Sequence, residues 1–213
     1  MERAKLLRLG GYAAGVILIV FGIATIAIGI AGKNTVEDEL SQEKIVGSPD
    51  MSPEGIAPGI EEANLTVDAP DCDVAEEPIT TGSEARCFAK YMRIHALESS
   101  GGLTYAEMGR YVSASNPTDA AGTNDPTAAA KDADGQPVSN AARNTWVTET
   151  ALATALNVSY MAEQIALFGV IVGIALLLSG IGFIILALIV LGAGAPKSVK
   201  APAFKGSGAP AAG

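Results

Sequence analysis

Three sets of residues in this chain could do chemistry: the only histidine, the only two cysteines, and a helical stripe of cations. His95 is the sole imidazole, so metal ligation there would have to rely on carboxylates, and no pair of them brackets it in sequence. It falls with Phe88, Tyr91 and Met92 at i, i+3, i+4 and i+7, the pattern of a buried helix face that Cys87 and Ile94 widen. A hydrogen-bonded core histidine is the expectation, in preference to a catalyst or ligand. Opposite that face stand Arg86, Lys90 and Arg93 at i, i+4 and i+7. Two readings of this stripe compete: charge pairing with acids of residues 71–77, or a contact for an anionic partner such as lipid head groups or a carboxylate-bearing ligand. Asp132-Ala-Asp134-Gly135 opens like a calcium loop but lacks the closing Glu, so a turn is expected. No catalytic residue, metal site or cofactor is expected.

Cys72 and Cys87 allow one intrachain pairing, and a structural disulfide is expected there. Closing that loop of 15 residues would contribute about 3 kcal/mol in the chain-entropy model. The alternative is two free thiols or a redox site, but the spacing is not C-x-x-C.

The elements that must position these groups have their own signals. Thr81-Gly-Ser-Glu84 and Thr104-Tyr-Ala-Glu107 match the capping box and predict helices over 82–98 and 105–112, separated by the breaker at 99–102. Residues 46–80 read as loops with short helical turns, among them Ser52-Pro53-Glu54, an N-cap followed by Pro at N1. Residues 113–139 read as a long loop, either mobile or ordered by a partner. Asn140 reads as the N-cap of one long helix to about 193, and residues 36–43 as an extension of the first helix. Asn64-Leu-Thr66 and Asn157-Val-Ser159 match the glycosylation acceptor, which has meaning only in a glycosylating host.

Two apolar stretches, 9–32 and 165–195, contain no Asp, Glu, Lys or Arg. Each exceeds the roughly 20 residues a helix needs to cross hydrocarbon, and transmembrane helices are expected at 9–32 and 165–193. The flanks 1–8 and 194–213 carry six basic residues against one acid, whereas 33–164 carries eight against 22. Basic flanks stay inside, so both termini are expected in the cytoplasm, the tail 194–213 disordered, and 33–164 outside the plasma membrane. A cleaved signal peptide is the alternative for the first span, but its apolar part is longer than an ordinary signal core and no A-x-A site follows.

Small residues recur every seventh position, at Gly15, Gly22 and Gly29 and at Ala166, Gly173, Gly180 and Ala187, as a helix-packing seam. It joins the two helices of one hairpin, or else neighbouring subunits or another membrane protein. Thr25 and Ser179 are the only polar residues well inside the spans, which argues against a coupled transporter or proton pump. The fold class expected is all-α: two antiparallel transmembrane helices with a small, mostly helical, disulfide-stabilised extracytoplasmic module.

Residues 85–98, with Cys87, Tyr91 and His95, and Asn144-Thr-Trp-Val-Thr-Glu149 before the second span resemble a group of actinobacterial two-span membrane proteins often labelled as aromatic ring-opening dioxygenase subunits. One histidine cannot supply the histidine-based iron site such chemistry needs, so the resemblance implies a plasma-membrane protein and transfers no functional residue. Three functions compete: a noncatalytic module for homo-oligomerisation or as accessory subunit of an envelope complex, an oligomeric pore or transport accessory, and an ectoenzyme or ligand sensor. The expected partners are the lipid bilayer and the chain itself or another membrane protein. The acidic exterior argues against nucleic acid.

Overall fold

A computed structural model of the chain describes residues 2–189. Its regular elements are helices: α1 Glu2–Glu43, α2 Pro53–Glu62, α3 Gly82–Ser99 and α4 Ala141–Ile189, with one 3-10 turn at Tyr105–Glu107. α1 and α4 are both long and apolar enough to cross a membrane. The tail 194–213 and the end of the second apolar stretch lie outside the described residues. The chain divides into two compact units, Met1–Ala24 with Gly173–Gly213, and Thr25–Val172.

In the first unit α1 meets α4 through small residues. A Cβ added at Gly15 would stand 2.8 Å from the Gly180 carbonyl oxygen, and one at Gly22 would stand 2.8 Å from that of Gly173. Gly11 faces Ala187, which is buried. Hydrogen in place of a side chain lets the two backbones approach closely enough for continuous dispersion contact.

The second unit repeats that contact at Gly29 on Ala166, and Gly32 lies against the Ala166 methyl group. Beyond it the two helices carry apolar side chains instead. Leu40 of α1 and Leu156 of α4 join Ile56 of α2 and Ala85, Tyr91 and Ile94 of α3 in one core, with Met51, Val74 and Ile79 from the connecting loops. α3 lies along α4 in the opposite direction. Gly82 touches Ser159 and Tyr160 at one end, and at the other the Trp146 indole N–H donates to the Leu103 carbonyl at 2.9 Å and the Ser100 hydroxyl at 3.3 Å.

The start of α3 shows why it begins where its sequence indicates. The Thr81 hydroxyl accepts from the Glu84 N–H at 3.2 Å, and the Glu84 carboxylate accepts from the Thr80 and Thr81 N–H groups, each at 2.9 Å. Glu163 of α4 adds a second acceptor, taking the Ser83 N–H at 3.0 Å. Two carboxylates thus satisfy donors that the first turn leaves open and complement its dipole. The Ser52 side chain caps α2 in the same way, accepting from Gly55 N–H, with Pro53 at the first helical position.

Three expectations need correction. α3 is buried more broadly than the Phe88–Met92–His95 face: Ala85, Cys87, Ala89, Tyr91, Ile94 and Ala96 are buried, while Phe88, Met92 and His95 are half-buried at the rim. The cause is that α3 packs against α4 on one side and against the disulfide loop and α2 on the other. The helix expected over 105–112 closes after one turn. Glu107 does accept from the Thr104 N–H at 2.7 Å, but Met108 adopts extended backbone and a Cβ at Gly109 would collide with the Thr123 backbone. The segment 113–139 is no loose loop, because it pairs with itself and its flanks through isolated antiparallel bridges. Val112 N–H donates to Val138 O and Ala130 N–H to Val112 O, each at 2.9 Å. The Asn140 amide closes the segment by donating to Ala120 O and Gly109 O, while its oxygen caps α4 at Ala142 N–H.

Candidate functional site

The stripe of cations is exposed because both flanks of α3 are consumed by packing. Arg86, Lys90 and Arg93 line a groove of about 500 Å³ between α3 and α4, with Ala89 of α3 and Ala153 of α4 among its other lining residues. α4 contributes Glu149, Asn157 and Met161 to its other wall.

The three cations are held differently. Arg86 stacks its guanidinium 4.5 Å over the Tyr160 ring, and Arg93 stacks 5.0 Å over that of Trp146. Both are cation–π geometries, which fix the planar group without neutralising it. Among the described residues neither arginine has an ion-pair partner. Lys90 pairs with Asp71 at 2.9 Å, in the open, where such a pair contributes little to stability. The Lys90 hydrogen bond holds the Asp71 carboxyl below its usual range.

The disulfide sets that geometry. Cys72 and Cys87 are bonded, with Cα atoms 6.1 Å apart, so the loop carrying Asp71 is tied to the turn of α3 between Arg86 and Lys90. The Tyr91 hydroxyl donates to the Cys72 carbonyl oxygen at 2.5 Å, and burial pushes that phenol above its ordinary range. One of the two competing fates of the stripe therefore applies to Lys90 alone: it is charge-paired, and the arginines are not.

His95 does not line this groove. Its Nε2 lies 3.0 Å from the Asp50 carboxylate, tying α3 to the loop before α2. Asp50 is held below the usual carboxylate range, first by the Ser48 hydroxyl at 2.5 Å and then by His95. Among the described residues no cluster of His, Cys, Asp and Glu is arranged to hold a metal ion. The groove offers fixed positive charge and small side chains, which suits binding of something anionic.

Sequence inspection names Trp146 and Glu149 only within the resemblance at 144–149 and misses Tyr160 and Glu163; all four are side chains by which α4 receives α3. Glu149 is 5% exposed and, among the described residues, takes only a long 3.3 Å bond from the Thr150 hydroxyl. A signal was present: positions 146, 149, 153, 156, 160 and 163 recur at three or four, a helical face continuing below the N-cap Asn140. Asn157 and Asn64 are both exposed, and Asn157 spends its amide on the Ala153 carbonyl at 2.7 Å within α4. None of the seam residues lines the groove. No protein-family model matches the chain, and no curated protein or solved structure matches it.

Proposed function

We propose that this is a noncatalytic integral membrane protein, of the two-span type that residues 85–98 resemble. In this reading α1 and α4 form an antiparallel hairpin in the plasma membrane with both termini inside, and residues 33–164 stand outside as a module for assembly with itself or with a larger envelope complex. The observation that carries the reading is apolar surface left uncovered. Only 17% of the most apolar window of each helix is buried, so neither resembles the core helix of a soluble protein. Val20, Ile28, Phe168 and Leu178 are all more than half exposed. At about 25 cal/mol per Å², a surface of that kind is costly in water and free of cost in hydrocarbon.

Other features support the same placement. Between helices already in lipid there is no hydrophobic drive, so close contact of small residues is what holds them, as at Gly15, Gly22 and Gly29. The Ser179 hydroxyl donates to Ala175 O one turn back, at 2.7 Å, which satisfies its donor within its own apolar helix. A disulfide persists on the oxidising side of a membrane. Membranes washed with alkaline carbonate and then dissolved in mild detergent test the proposal: the protein should stay in the washed pellet and purify as an assembly. A soluble protein, or a monodisperse monomer with nothing bound, would overturn it.

A further inference from the structure

The extramembrane part of α4 separates two grooves of opposite charge. One is the groove of Arg86, Lys90 and Arg93, whose α4 wall carries Ala153, Asn157 and Met161 and, near Arg93, the single acid Glu149. The other, of about 360 Å³, is lined by Glu39 and Glu43 of α1 with Leu152, Ala155 and Ser159 of α4. At about 100° per residue, Ala153 and Ala155 point some 200° apart, as do Asn157 and Ser159, so the grooves occupy opposite faces of one helix. Glu39 and Glu43 are exposed, and among the described residues neither has an ion-pair partner. Unpaired acids thus stand on one side and unpaired arginines on the other.

Their heights along the helices agree. The contact of Gly32 with Ala166 marks one level on both α1 and α4. At about 1.5 Å per residue, Glu39 and Glu43 stand about 10 and 16 Å beyond it. That count is supported by their sharing a groove with Ser159 and Ala155, which lie equally far from Ala166. The Arg86 guanidinium covers Tyr160, about 9 Å beyond the same level, and Lys90 is one turn further along α3, at about 15 Å. Each acid therefore matches a cation on the opposite face to within about 2 Å.

We propose that a second copy of this chain seats its Glu39–Glu43 ridge in the Arg86–Lys90 groove, head to tail, about an axis normal to the membrane. This rests on the membrane-hairpin reading, because copies inserted in one bilayer share orientation and depth, and equal height is the condition that such an axis imposes. A head-to-tail contact closes into a ring when its rotation permits. The small residues Ala89 and Ala153 in the groove leave space for a helix ridge. Lys90 exchanges exposed Asp71 for a neighbour's Glu43, one open pair for another, at little cost.

The test uses full-length chains carrying donor or acceptor dyes in phosphatidylcholine vesicles, with energy transfer reporting association. Reversing one side, R86E with K90E or E39K with E43K, should weaken association roughly 100-fold, since like charges then face each other. Mixing the two broken variants one to one should restore it, because each supplies the side the other lacks, and the quadruple variant should also associate. The milder R86Q with K90Q should weaken it about tenfold. The Cys72–Cys87 bond and Trp146 emission verify that each variant is folded. Association unchanged in both reversals, or no rescue on mixing, overturns this interface while leaving the membrane reading intact. A wild type that stays monomeric yet binds phosphatidylglycerol vesicles through Arg86 overturns it in favour of a lipid headgroup. Failure to insert into vesicles at all strikes the membrane reading instead.

Discussion

Where α1 meets α4 at Gly15 and Gly180 the contact is backbone against backbone, whereas around α3 whole side chains such as Tyr91, Ile56 and Ile79 are buried. The α3 core adds a disulfide, paired caps and side-chain hydrogen bonds to carbonyls at Cys72 and Leu103. Among the described residues, no disulfide or helix cap lies at the Gly15, Gly22 and Gly29 contacts. On the proposed membrane placement, the difference follows from solvent. In water, removing apolar area and constraining loops stabilise a small module; between apolar helices in lipid only shape remains, and shape there means absence of a side chain.

The contrast can be broken from either side. The largest effect is expected from replacing both cysteines by serine, which should cost the module about 3 kcal/mol through freedom returned to a loop of 15 residues. Urea unfolding followed by Trp146 emission should shift accordingly, while the helical signal of α1 and α4 persists. Loss of both together would show that the two regions are one cooperative unit. From the other side, Gly22→Leu forces a side chain against the Gly173 and Leu177 backbone and should cost about 1–3 kcal/mol in thermal unfolding in detergent. Gly182→Leu, with nothing within 4 Å, should change nothing measurable.

The smallest effect concerns the caps. Burial raises the Glu84 carboxyl, but hydrogen bonds from Thr80 and Thr81 outweigh it and hold the group below its ordinary range. A carboxyl depressed in the folded state stabilises fully above the ordinary carboxylate value, and that contribution disappears as pH falls through the lower, folded value. Glu84→Gln should therefore cost about 1 kcal/mol at neutral pH and flatten the acid limb of the stability profile. An acid limb unchanged by the substitution would remove Glu84 from the account.

Long uncharged stretches and the Thr81 box were legible because each signal is local: composition over 20 residues, or four residues with reciprocal bonds. The cysteines were legible because two leave one pairing. The short helix after Thr104 misled because the same box was present while Gly109 lies packed against the Thr123 backbone, a tertiary fact. The bridges between 111 and 139 join isolated pairs of mixed residue type, such as Tyr111 with Thr123 and Ser113 with Ala129, without apolar alternation to announce them. The groove was half legible: the stripe Arg86, Lys90 and Arg93 follows from helical spacing, but Tyr160 and Trp146 beneath the arginines come from a helix more than 50 residues away.

The central claim is that α1 and α4 cross a bilayer side by side and hold residues 33–164 outside. Asp125 lies between α3 and α4, is exposed, and can be replaced by cysteine as the chain's sole free thiol, since Cys72 and Cys87 are bonded to each other. A membrane-impermeant maleimide applied to intact cells should label Asp125→Cys fully, with no gain on permeabilisation. Labelling only after the membrane is opened would contradict the account.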